Sequence, residues 1–137
     1  MPGERDLNTL LRTMRPELQA GVFVFSSLPN EIDIPAAVRP LLWFREREGV
    51  TVVIQRDEAE RVGLLSYQFA SRLITLSVHS ALDAVGFLAA VTTRLAEAGI
   101  SVNAVSAFHH DHLFVPEHRA DEALQLLLEM SLGPASG

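Results

Sequence analysis

Cysteine and lysine are both missing from the 137-residue sequence, and no apolar run approaches the roughly 20 residues that cross a bilayer. Without cysteine there is no disulfide scaffold, no thiolate zinc site and no cysteine nucleophile. Without lysine there is no phosphate-binding loop of the Gly-Lys type. All basic charge comes from 11 Arg scattered among 17 Asp and Glu, a net charge of −6, which argues against a nucleic-acid partner. Met1-Pro2-Gly3-Glu4-Arg5-Asp6 is polar, so no signal peptide is expected and the chain reads as soluble and cytoplasmic, with no membrane partner. What is abundant is apolar side chain: 48% of residues are hydrophobic. Mean hydropathy is +0.21, high for so small a chain, and suggests a buried subunit interface.

Leu7, Leu10, Leu11 and Met14 fall at i, i+3, i+4 and i+7, which predicts a helix over 6–14 that Pro16 ends. Residues 22–28 read as a strand. The Pro29–Pro40 stretch reads as a loop or degenerate helix, and 41–47 with 50–55 as a hairpin. A short helix ending at Gly63 follows, with Asp57 and Glu60 at capping-box spacing. Residues 72–79 are a β-branched strand and 82–98 the clearest helix, with Gly99 past its end. Strands are expected over 100–107 and 110–115, and a last helix over 119–131.

The order of elements therefore repeats: residues 1–71 hold a helix plus a degenerate half, and 72–137 a second half. The βαββαβ unit that both approximate is the ferredoxin-like split motif, an α+β fold with antiparallel sheets and helices on one face. That fold hosts many functions, so it assigns none.

Asp83-Ala84-Val85-Gly86-Phe87-Leu88, followed by Leu95-Ala96-Glu97-Ala98-Gly99-Ile100-Ser101, resembles the signature of ACT domains. Val85 stands where that signature has Pro, and Ser101 where it has Asn. Residues 74–80 and 108–116 are similar to small bacterial proteins with two ACT-like halves in one chain. The resemblance implies a tandem ferredoxin-like sandwich that acts as a non-catalytic regulatory module, binds a small metabolite such as an amino acid, and pairs as a homodimer or larger. By the same resemblance, Asp83 would hold the ligand's ammonium.

The residues themselves point to the same turn. Free backbone N–H groups at a helix start attract a carboxylate. Gly86, lacking Cβ and expected in the first helical turn, would let a ligand approach. The candidate ligand-binding residues are His79, Ser80, Asp83, Val85, Gly86 and Asn103. A plainer reading makes Ser80 and Asp83 only a capping box. His109-His110-Asp111-His112 has metal-ligand chemistry, but Asp111 suits a hairpin turn, and structural hairpin chemistry is preferred to a metal. No catalytic motif is present, so no enzyme activity and no cofactor are expected. The alternative function is a ligand-free interaction module that pairs through its sheet edge and apolar faces.

Overall fold

The computed structural model describes residues 3–78, 81 and 83–133. The chain forms α1 (Leu7–Thr13), β1 (Pro16–Leu18), β2 (Phe23–Leu28), β3 (Leu42–Arg45), β4 (Val50–Gln55), α2 (Arg56–Arg61), β5 (Gln68–Leu76), α3 (Phe87–Glu97), β6 (Asn103–Ser106), β7 (Asp111–Pro116) and α4 (Ala120–Ser131). These elements fall into two compact units, one of Ala20–Ser71 and one of Met1–Gln19 with Arg72–Gly137. The boundary cuts through β5, which gives its first residues to one unit and its last to the other.

In the Ala20–Ser71 unit the strands lie in the order β3-β4-β2-β5. Counted along the motif, that is second, third, first, fourth, the ferredoxin-like arrangement. The β2–β4, β3–β4 and β2–β5 pairings are antiparallel. The motif's first helix has shrunk to a single 3-10 turn, Glu31–Asp33, because Pro29, Pro35 and Pro40 cannot donate the N–H bonds of a continuous helix. Val24, Val38, Val50, Val52, Ile54 and Ala59 form the core. Alternate positions Val50, Val52 and Ile54 share one face of β4. Gly49 makes the β3–β4 turn possible, since a Cβ there would sit 2.5 Å from the Leu28 carbonyl oxygen. Where β2 meets β5 the register shifts between Phe23 and Phe25. Phe69 stands beside this bulge at φ +57°, its ring edge-on to Phe25 at 5.8 Å.

In the other unit the order is β1-β5-β7-β6. Residues 72–131 supply three strands and two helices of the motif, and the fourth strand comes from β1, near the start of the chain. Pro16 pairs with Leu76 and Leu18 with Ile74, antiparallel. Two backbone bonds, Gln19 N–H to Leu73 O at 2.8 Å and Ser77 N–H to Arg15 O at 3.0 Å, bracket that pairing. Asp6 caps α1 by accepting from the Thr9 amide at 2.9 Å. The helix delivers Leu10 and Met14, both buried, into a core with Ile74, Leu76, Leu113, Val115, Val91 and Leu127. Each such side chain contributes roughly 1.5–3 kcal/mol when fully buried.

Several local expectations need correction. The helix expected over 82–98 starts at Phe87 with Gly86 as its cap; of the expected capping pair, Asp83 lies in the turn before it and Ser80 lies outside the described residues. The short helix begins at Arg56 after Gln55 with no side-chain cap, so Asp57 lies in its first turn. The strand expected over 72–79 starts at Gln68 and stops at Leu76. Asp111 is the first residue of β7, paired with Ser106, and not a turn residue.

Candidate functional site: the turn before helix α3

The turn between β5 and α3 is held in place by the N-terminal segment. Ala81 N–H donates to the Glu4 carbonyl at 2.9 Å, and Ala84 N–H to the Ala81 carbonyl at 3.0 Å. Arg5 grips Asp83 with Nε and Nη2, each 3.0 Å from a carboxylate oxygen. This bidentate bond holds the Asp83 carboxyl below its ordinary range. Both side chains are largely exposed, so the pair orients the turn more than it stabilises the fold.

Gly86 follows with φ +90°, the left-handed region, where a Cβ would meet only the Leu7 Cδ2 methyl at 3.8 Å. Its carbonyl accepts the first helical bond, from Ala90 N–H at 2.9 Å, and among the described residues no side chain caps the helix. The amides of Phe87, Leu88 and Ala89 have no carbonyl partner within the helix. Phe87 is buried and anchors the first turn, while Val85 is 84% exposed.

Against this helix start sits a small hollow of about 40 Å³, lined by Ala81, Ala84, Leu88, Ser106, Ala107 and Asp111. That volume holds a compact polar head group, on the order of three waters at 10–15 Å³ each. Asp111 is 6% exposed. Its side chain borders the hollow, and among the described residues no side chain bonds its carboxylate, which is not one of the fully buried, unpaired polar groups. An acidic group and the first turn of a helix thus border one small space, a pairing complementary to a zwitterion.

Of the sequence-stated candidates, Gly86 and Asp83 lie at this turn, with Asp83 committed to Arg5. Val85 points to solvent. Asn103 is exposed at the start of β6, paired in register with Phe114, and does not line the hollow. His79 and Ser80 lie outside the described residues. Asp111 was missed as a site residue because a polar residue between two histidines in a hairpin has the pattern of an ordinary turn. Only the pairing with Ser106 brings it under α3.

One histidine beside it is tied to β5 and the other to the segment just after that strand. His112 Nδ1 lies 3.0 Å from Thr75 Oγ1, and His110 Nδ1 lies 3.2 Å from the Val78 carbonyl. The His110 and His112 rings are 6.5 Å apart, and among the described residues no group of three His, Asp or Glu could hold a metal. Burial, with nearby His110 reinforcing it and Asp111 opposing it, pushes the His112 imidazole below its usual pKa.

Each unit thus has the strand order of a ferredoxin-like module, and the second sets the start of α3 beside the mostly buried Asp111. Two family models described as ACT domain match residues 2–72 and 68–129. The chain belongs to the ACT-domain family, whose members are typically regulatory ligand-binding modules. Among solved structures it is similar to a Vibrio cholerae protein of unknown function, described as a possible transport protein. The two are 42% identical with a TM-score of 0.82, over 91% of this chain and 95% of that one. An Agrobacterium tumefaciens protein shares 20% identity and a TM-score of 0.72, over 86% and 89% of the two chains. Escherichia coli aspartokinase III, solved with aspartate and ADP, shares the fold at 12% identity and a TM-score of 0.58. That match covers 90% of this chain but 34% of the kinase. No curated protein sequence matches significantly. Among the described residues, no helix is long and apolar enough to cross a membrane.

Proposed function

We propose that this protein is a non-catalytic, cytoplasmic sensor that binds an amino acid at the start of α3 and passes its ligand state to a partner. The observation that carries the reading is Asp111, a carboxylate 6% exposed in a hollow beside uncapped helix N–H groups. The ligand's ammonium meets Asp111 and its carboxylate meets the amides of Phe87 to Ala89. Gly86 sets the angle at which those amides are presented, and Arg5, through Asp83, holds the turn. Of the sequence modules, 1–71 and 72–137, the second carries the site, completed by the α1–β1 segment.

The same reading makes the protein a homodimer or larger. β3 ends the β3-β4-β2-β5 order of its unit, and Leu41, Trp43 and Phe44 beside its free edge are 51%, 45% and 64% exposed. An apolar edge of this kind is a ready template for pairing with another chain. A thermal-shift screen of the twenty amino acids tests the ligand. One or a few, at a hundredfold excess over Kd, are expected to add about 2.7 kcal/mol and raise Tm by several degrees. If none of the twenty raises it, the ligand-free interaction module is the better account.

A further inference from the structure

A second cavity lies in the same unit, away from the α3 turn. It is an open cleft of about 640 Å³ among α1, α3 and α4, within the roughly 300–1,000 Å³ typical of small-molecule sites. Leu11 from α1 and Met130 from α4 give it an apolar surface, and Arg12 and Arg94 bring two guanidinium groups from different helices. The acids that also line it have partners already. Asp6 accepts from the Thr9 amide and hydroxyl at 2.9 and 2.8 Å, and Glu129 accepts from Gln125 Nε2 at 3.4 Å. Among the described residues Arg12 donates within its own helix, from Nε to the Asn8 carbonyl at 3.3 Å. Among the described residues neither Arg12 nor Arg94 forms an ion pair. Two arginines on separate helices line one cleft, neither in a hydrogen-bonded ion pair, although the Arg12 charge also acts on Asp6 and helps to lower its pKa. That is a recognition geometry for carboxylate or phosphate.

We propose that this cleft is a second ligand site, which takes a small amphipathic anion: a carboxylate or phosphate head between Arg12 and Arg94, and an apolar body against Leu11 and Met130. The site is independent of the amino-acid reading, because none of its residues lines the α3 hollow.

The test is calorimetry on the full chain with octanoate, octyl phosphate and octylammonium, each well below its micelle concentration. One of the two anions is expected to bind saturably at one site per chain, and octylammonium not to bind. Tighter octanoate assigns a carboxylate ligand, and tighter octyl phosphate a phosphate ester. The Arg12→Gln, Arg94→Gln double variant is expected to lose at least tenfold in affinity with an unchanged far-ultraviolet spectrum. Asp111→Asn, which leaves this cleft intact, is expected to bind the anion as the wild type does. Failure of both anions to bind, equal binding of octylammonium, or unchanged affinity in the arginine double variant overturns the proposal. If the double variant unfolds, Met130→Glu serves in its place: it puts a negative charge on the apolar wall and is expected to abolish binding, and unchanged affinity there also overturns the site.

Discussion

Gly86 and His112 each occupy a position whose chemistry is explicit in local terms. The left-handed φ of +90° at Gly86 is a backbone requirement, and the space around it is open. The sequence-based role of Gly86, as clearance for a ligand in the first helical turn, therefore gives way to a conformational one. Gly86→Ala is expected to lower stability by about 1–2 kcal/mol, the cost of forcing an L side chain into that region, measured by denaturant midpoint. His112 titrates below an ordinary imidazole because burial disfavours its charged form. The unfolded chain takes up that proton near pH 6.5 and the folded chain only at lower pH. Between these values the unfolded state binds more protons, so stability falls as pH drops through this window. The Tm is expected to decline from pH 7 to pH 5, and less steeply in His112→Gln, which retains a side chain able to bond Thr75. An equal decline in both would place the acid sensitivity elsewhere. Gly86 was legible as important from its place before a helical stripe. Asp111 was not, since its burial depends on a long-range arrangement that single-residue chemistry does not encode.

At the level of elements, those with strong periodicity were legible and the short ones were not. Helices α3 and α4 place Phe87, Val91, Leu95 and Ala120, Ala123, Leu127 on one stripe, and β4 and β7 carry β-branched or alternating apolar residues. β1 is three residues, Pro16–Leu18, beginning with a proline that ends α1. Three residues show no period, and the strand exists only because β5 offers it an edge. The first part of β5, Gln68 to Ser71, is also weakly patterned and is interrupted by Phe69 at positive φ. This makes α1 and β1 a completing piece for the C-terminal module. Leu10→Ala is expected to cost about 2–5 kcal/mol, the range for emptying a fully buried leucine site. Residues 72–137 expressed alone are expected to show no cooperative melting transition, and addition of a peptide spanning 1–19 to restore one. A cooperative transition from the fragment alone would show that β1 is dispensable.

At the level of the whole molecule, the account joins an assembly and a ligand. The apolar residues around β3 are expected to bring two copies together, so light scattering at micromolar concentration should give twice the 15.0 kDa of one chain. A mass of one chain would leave Trp43 and Phe44 to a different partner. The ligand claim rests on Asp111 and the uncapped start of α3 acting as the two halves of a zwitterion site. Titration calorimetry of the best-stabilising amino acid, beside its analogue lacking the amino group, tests this in wild type and in Asp111→Asn. Removing the ammonium and removing the Asp111 charge should each cost at least about tenfold, near 1.4 kcal/mol, and the two losses should not add, because they break the same contact. Unaltered affinity in Asp111→Asn, or losses that add in full, would contradict the site.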